Sequence, residues 1–252
     1  MQIHNTIVES NNKIGVRTFL IKVQAPELAQ QIKPGQFCNI KVSETSYPLL
    51  RRPFSICDVD GDYVFFMYDL HGEGTKILSE KVQGDSLDIL GPLGNGFTTN
   101  NNYDNIILVA GGIGVAPFPF VTRELSDSVN VTTYLGGRTK DYVINYGLKN
   151  VIVSTDDGSE GMKGTVVDLL ESHKGKFEAG NVMFFGCGPN PMLSALRKFC
   201  LQNNYDCEIS TEAAMACGFG ICQGCPIDST EKDKYHLVCK DGPVFNIKDV
   251  EI

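Results

Sequence analysis

No apolar run in this sequence approaches the roughly 20 residues that a membrane-spanning helix requires, so no helical membrane anchor is expected. The opening stretch, MQIHNTIVESNNK, has no basic segment followed by an apolar one, so no export signal is expected. Positive charge is not in excess either. Lys and Arg total 22 against 30 Asp and Glu, for a formal net charge of −8. Non-specific nucleic-acid binding needs clustered cations that displace counterions, and this balance argues against it. Neither an internal repeat nor a low-complexity segment stands out. With no export signal, the nine cysteines read as reduced thiols in a cytoplasm rather than as a disulfide framework.

What is present suffices for a folded core. The chain has 252 residues and is 42% hydrophobic, enough for two domains or one large one. Residues 1–99 read as β. The strings VRTFLIKVQA, FCNIKV, FSICDVD, DYVFFMYDL and DSLDIL are short, rich in β-branched and aromatic residues, and bounded by Gly, Pro or Asp. Asp60-Gly61-Asp62 reads as a hairpin turn between two of them. The best helical signal in this region is GTKILSEK, from Gly74. Such spacing suggests a small antiparallel barrel.

The pattern changes near Asn100, after the polar linker TTNNNYDN. In residues 100–211, apolar strand-like runs alternate with helical stretches. NIILVA, NVTTYLGG, NVIVST, NVMFFGCG and DCEIST are the strands; PFPFVTREL, TVVDLLESHK and PMLSALRKFCLQN are the helices, with Thr165 as an N-cap. Alternation of this kind predicts a parallel sheet with helices on both faces. Residues 212–252 read as loop. The expected fold class is therefore a multidomain α+β protein: antiparallel β-barrel, α/β domain, and a C-terminal cysteine-bearing subdomain.

Three features carry chemistry. In ILVAGGIGVAPF, Gly111, Gly112 and Gly114 follow a strand and precede a helix. Glycines there let the backbone approach a pyrophosphate, which the helix N-terminus attracts. Pro117 replaces a third glycine, and a ligand-free turn of this kind is common. Further glycines end two other strands, at Gly136-Gly137 and at Gly186-Cys187-Gly188; a ligand in the crevice at those strand ends accounts for them. Second, LLRRPFSICD sets Arg51, Arg52, Pro53 and Ser55 at a strand start. Arg52 and Ser55 are candidates to face one phosphate; an exposed Arg pair beside an edge-strand Pro is the plainer account. Gly72 to Thr75, opening the short helix, is a second phosphate candidate. Third, Cys217, Cys222, Cys225 and Cys239 follow C-x4-C-x2-C-x13-C, the plant-type [2Fe–2S] spacing. Structural zinc is the alternative, though it usually takes paired C-x2-C knuckles. Cys38, Cys57, Cys200 and Cys207 read as small buried hydrophobes.

The order barrel, RPFS, GGIGVAP, CGP resembles the ferredoxin reductase family of two-domain flavoproteins. With the cysteine spacing added, LLRRPFSI, GEGTKIL, LGPLGNGF, GGIGVAPF, TDDGSEGMKGTV, MACGFGICQGC and VCKDGPVF resemble, from end to end, the electron-transfer subunits of NAD-dependent (class 1B) dihydroorotate dehydrogenases. The resemblance implies FAD at Arg52, Pro53, Phe54, Ser55, Met67 and Tyr68, with Gly74 and Thr75 at its diphosphate. It implies NAD(H) at Gly111, Gly112, Gly114 and Gly188, with Cys187 near the hydride path. A [2Fe–2S] cluster would sit on Cys217, Cys222, Cys225 and Cys239. Asp69 departs from the family, which usually has a basic or neutral residue near the flavin there; it either faces away or offers only backbone. The implied activity is a relay between NAD(H) and an FMN-containing dihydroorotate dehydrogenase catalytic subunit, in pyrimidine biosynthesis and in a hetero-oligomer. No side chain here is implied as acid or base. Asp156 and Asp157 lean toward NAD over NADP by repelling a 2′-phosphate, Arg138 leans the other way, and Asp156 has an alternative as a loop cap. His71 reads as an exposed loop histidine. A ferredoxin:NADP oxidoreductase-type subunit serving another partner, and a non-catalytic nucleotide-binding protein with structural zinc, remain the alternatives.

Overall fold

The computed structural model describes residues 1–99, 103–125, 129–177 and 180–252. Asn100–Asn102 of the expected linker lie outside that set.

The N-terminal part is a closed antiparallel barrel of β1 (Gln2–Lys13), β2 (Thr18–Gln24), β3 (Phe37–Lys41), β4 (Arg52–Asp60), β5 (Tyr63–Asp69) and β6 (Ser86–Leu93), in the order β1-β2-β5-β4-β3-β6. Two short helices, α1 (Pro26–Ala29) and α2 (Glu73–Ser79), sit between its strands. Alternation builds the core. Ile21, Val23, Ile40, Ile56, Val64 and Phe66 are completely buried, each stabilising the barrel by about 1.5–3 kcal/mol relative to exposure. Gly61, at φ +55°, makes the expected turn between β4 and β5.

The second part alternates as expected: β7 (Asn105–Gly111), α3 (Phe118–Glu124), β8 (Asn130–Gly137), β9 (Val151–Thr155), β10 (Met162–Lys163), α4 (Val166–Ser172), β11 (Val182–Cys187), α5 (Asn190–Asn203) and β12 (Asp206–Ser210). Strands β7 to β12 are parallel, ordered β10-β9-β8-β7-β11-β12. Ile106–Ala110 are buried, as a strand covered on both faces requires. Thr165 does cap α4: its Oγ1 accepts from the Asp168 N–H at 3.1 Å, and Asp168 Oδ2 accepts from the Thr165 N–H at 2.9 Å. Thr165→Ala is expected to cost about 1 kcal/mol, read as a lower Tm.

The segment after Glu212 is not all loop. A hairpin of β13 (Pro226–Asp228) and β14 (Tyr235–Leu237) lies between Cys225 and Cys239. Strand β15 (Val244–Asn246) then pairs antiparallel with β12, extending the main sheet to seven strands. Val244 and Phe245 are buried there, so one apolar pair within a short glycine- and lysine-flanked string was enough to add an edge strand. No helix among the described residues is long and apolar enough to cross a membrane.

Candidate functional site

A cleft of about 1000 Å³ opens between the barrel and the C-terminal ends of the parallel strands. Pro53, Phe54, Ser55, Met67, Tyr68 and Asp69 form its barrel wall; Gly111, Gly112 and Cys187 are on its sheet wall. Residues far apart in sequence thus meet because β4 and β5 are neighbours in the barrel, while β7 and β11 are neighbours in the sheet, with Ala110 opposite Cys187. Its volume reaches the upper end of the usual range for small-molecule and cofactor sites.

The barrel wall is aromatic and rigid. Tyr68 stacks on Phe19 at 5.7 Å between ring centroids and meets Phe54 edge-on at 5.7 Å. Its hydroxyl donates to Asn11 Oδ1 at 3.0 Å, and burial pushes its pKa up to about 12 despite that bond. Asp69 faces the cleft, and its carboxylate is already engaged. Oδ1 accepts from Thr18 Oγ1 at 2.6 Å, while Oδ2 lies 3.4 Å from Arg17 Nε. That Arg–Asp contact is an ion pair without an aligned hydrogen bond, since the same Nε finds no hydrogen-bond acceptor among the described residues. Arg17 also lines the cleft. The carboxylate at position 69 therefore holds a cation that strand β2's approach supplies. Arg17 was not legible beforehand, because VRTFLIKVQA marks a strand and says nothing of what its first Arg reaches across the barrel.

Arg52 and Ser55 do not share the cleft wall. Ser55 lines it, whereas Arg52 lies across Gly74 at the start of α2, with Nε 3.0 Å from where a Cβ would stand. Neither Gly74 nor Thr75 lines the cleft. Thr75 Oγ1 accepts from the His71 and Gly72 N–H groups, at 2.8 and 3.2 Å, closing its own turn. Arg51 is committed elsewhere, to Asp88 at 2.7 Å. His71 is exposed and borders the cleft.

On the sheet wall the glycines divide their tasks. Gly112 has φ +55° and nothing within 4 Å of a built Cβ, so its backbone faces open space. Gly114 is the opposite: a Cβ would overlap the Cys187 carbonyl and crowd Gly188 Cα at 2.6 Å. Gly188 in turn packs on Met192 and the Gly111 amide. Gly114 and Gly188 thus bring two strand ends together, and Gly111–Gly112 border the resulting cleft. Cys187 is buried, and desolvation, with the nearby Glu212 charge, pushes its thiol up against the lowering effect of Ser210. It is held as a neutral thiol at pH 7. Glu212 is open to the cleft by surface area, yet the walls desolvate its carboxyl enough to raise it above the usual carboxylate range. Loop capping after β9 falls to Asp157, whose Oδ1 accepts from the Ser159 amide at 2.9 Å; Asp156 lines the cleft. Arg138 lines it too.

The four clustered cysteines come together in two pairs. Cys217 Sγ accepts from the Cys222 N–H at 3.4 Å. Local desolvation raises the Cys217 thiol, but the amides of Phe219, Cys222 and Ile221, with the Cys222 side chain, outweigh it and bring the pKa down to about 6. Cys239 is pushed up to about 12, by desolvation first and then by its bond with Cys225 and that thiol's charge. The Val238 N–H donates to the Cys225 carbonyl at 2.9 Å, joining the two segments. Gly218 and Gly220, at φ +79° and +87°, give the loop its curvature. Among the described residues, no three His, Cys, Asp or Glu side chains stand close enough to share one metal ion. Thiols grouped two and two, with amides turned to sulfur, fit a centre of two irons that takes two thiolates on each. The other five cysteines are free and buried.

The barrel carries this loop. Gly218 packs on Asn39 and Leu93, while the Asn95 side chain donates to the Lys240 and Asp241 carbonyls at 3.2 and 2.9 Å. GPLGNGF, which reads in the sequence only as a glycine-rich exit, is thereby the seat for the turn after Cys239. A side chain at Gly94 would meet Pro243 Cδ at 2.6 Å.

Comparison with known proteins agrees with this arrangement. Residues 212–251 match the family model described as the iron-sulfur cluster binding domain of dihydroorotate dehydrogenase B. Among solved structures, that of an NADH-dependent reduced ferredoxin-NADP oxidoreductase superposes with a TM-score of 0.86 at 29% identity, over 98% of this chain and 89% of that one. A ferredoxin NADP+ reductase from Neisseria gonorrhoeae, with bound FAD and NADP, shares the fold at a TM-score of 0.65 and 15% identity, over 80% of this chain and 92% of that one. The dihydroorotate dehydrogenase B (NAD(+)) electron transfer subunit of Caldanaerobacter subterraneus subsp. tengcongensis is 38% identical over 86% of both chains. That of Bacillus mycoides (strain KBAB4) is 39% identical over 99% of both, and the chain belongs to this family of electron transfer subunits.

Proposed function

We propose that this chain carries electrons between NAD(H) and an FMN-containing dihydroorotate dehydrogenase catalytic subunit, as the electron-transfer half of a hetero-oligomer in cytoplasmic pyrimidine biosynthesis. The observation that carries it is the joining of two sites by one barrel: β4 and β5 wall the cleft, and β3 and β6 seat the cysteine loop. FAD and a [2Fe–2S] cluster supply the exchange between paired-electron hydride transfer and single-electron steps.

The chain's residues divide the work as follows. Pro53, Phe54, Ser55, Met67 and Tyr68 hold the flavin ring on the barrel side, and the Arg17–Asp69 pair supplies a fixed cation beside it. Arg52, Gly74 and Thr75, grouped off the cleft, receive the diphosphate. Gly111 and Gly112 border the NAD(H) backbone path, Gly114 and Gly188 shape that wall, and Cys187 packs near the nicotinamide. Asp156 faces the cleft and disfavours a 2′-phosphate. Cys217, Cys222, Cys225 and Cys239 hold the cluster. Residues 1–99, 100–211 and 212–252 then correspond to the flavin, nucleotide and cluster units. Exposed Ile221 and Phe219, 77% and 37% accessible, flank the cluster cysteines and support this loop as the docking face for the catalytic subunit.

A second reading rests on the 0.86 superposition with the ferredoxin-NADP oxidoreductase: the same relay serving ferredoxin. Purified protein is expected to be yellow-brown, with flavin and iron–sulfur absorbance that NADH bleaches. Dihydroorotate oxidation with NAD after reconstitution with the FMN subunit supports the first reading; ferredoxin turnover without it supports the second. A colourless protein with one zinc and no iron defeats both.

A further inference from the structure

Asn39 is a residue that neither the sequence pattern nor the cofactor assignments above account for. It is 1% exposed, and its buried Oδ1 has no hydrogen-bond partner among the described residues. Its neighbours on β3 explain its direction. Cys38 and Ile40 belong to the barrel core, while Phe37 belongs to the other core cluster, which also includes Leu93, Cys225 and Cys239. Asn39 shares the outward face with Phe37, because side chains alternate along a strand. Its amide lies against Gly218, next to Cys217 in the chain, so closely that a Cβ at position 218 would overlap the amide nitrogen. Across the strand pair, Asn39 stands opposite Pro53, which lines the cleft. One residue therefore separates the cleft wall from the cysteine loop.

A buried amide with an unpaired oxygen is destabilising. A leucine, branched at the same carbon, would leave no unpaired oxygen there. The retained amide thus has its use in polarity. Its nitrogen, the positive end of the dipole, is the end turned toward the cysteine loop. A four-thiolate iron–sulfur cluster is anionic and becomes more so on reduction, and hydrogen bonds to its sulfurs raise its reduction potential.

We propose that Asn39 is a positioning residue that presents its side-chain N–H to the cluster across Gly218 and raises the cluster's reduction potential, easing electron entry from the cleft side. This rests on the cluster assignment above.

The test is a reductive titration of the purified protein, followed by the electron paramagnetic resonance of the reduced cluster. Asn39→Leu removes the dipole while keeping the branch at Cγ, and Asn39→Asp replaces the donor with an acceptor. Asn39→Leu is expected to shift the one-electron equilibrium toward the oxidised cluster by about tenfold, or ~59 mV, and Asn39→Asp by more. Clusters that load in both variants at the wild-type potential overturn the proposal, as does reduced occupancy with the remaining clusters unshifted. If neither variant takes up a cluster, the wild-type chain decides. Pulsed resonance of protein labelled with ¹⁵N at asparagine side chains should show coupling to the reduced cluster; its absence overturns the proposal. Wild-type protein lacking any cluster would defeat the cluster assignment instead, a result separable from all of these.

Discussion

Cys222→Ser is expected to abolish the iron–sulfur signal and to cut electron transfer to the catalytic subunit by more than about 100-fold, beyond what changes around a metal's ligands usually cost. The thiol at this position is exposed, and its backbone N–H donates to Cys217 Sγ. A serine hydroxyl is a poor anionic ligand near neutral pH, so one iron would lose half of its protein sulfur. NADH is nevertheless expected to bleach the flavin in the variant, because Cys222 does not line the cleft. The two halves of the relay therefore separate in one substitution. Stopped-flow absorbance at the flavin band, with iron analysis on the same sample, checks both. Loss of flavin reduction in folded, flavin-loaded variant would show that the cluster does not lie downstream of the cleft.

Gly114→Ala is expected to have the second large effect. A methyl group there meets the Cys187 carbonyl and Gly188 Cα, which are backbone atoms and cannot swing aside. Overpacking of this kind costs about 1–3 kcal/mol, which for a chain of this size corresponds to a fall in Tm of roughly 2–12 °C. The turn and the end of β11 are forced apart, so Gly112 and Cys187 lose their spacing along the sheet wall of the cleft. KM for NADH should rise by about tenfold or more, as displacements of about 1 Å at a reacting site can cost far more. Gly175→Ala is the control, since nothing lies within 4 Å of its built Cβ; it should leave both Tm and KM near wild type. Equal losses in the two variants would remove the special role of Gly114.

Strand β1 went unmarked because its polarity is inverted: Ile3 and Ile7 are 59% and 45% exposed, while His4 and Thr6 are buried. Closure against β6 and β2, not apolar alternation, places it. Strand β4 starts at Arg52, two residues before the apolar run at Phe54. Arg52 and Ser55 stand three apart, so the two-residue period of a strand does not put them on one face; the structure parts them, one over α2 and one in the cleft.

Local signals were reliable wherever the physics is local. Buried strands of the parallel sheet need unbroken apolar runs, Thr165 caps the helix that starts beside it, and Gly61 turns a hairpin. These depend on neighbours within a few residues, and the amino-acid order alone determined them. Closure of the barrel and register of the sheet decided the rest. They set Arg17 against Asp69 across 52 positions, Asn39 under Gly218, and Asn95 on the chain after Cys239. Such contacts pair residues whose own surroundings carry no trace of each other. Only after the strands are laid side by side does the Asp69 carboxylate acquire its cation and the Asn39 amide its place beside the cysteine loop.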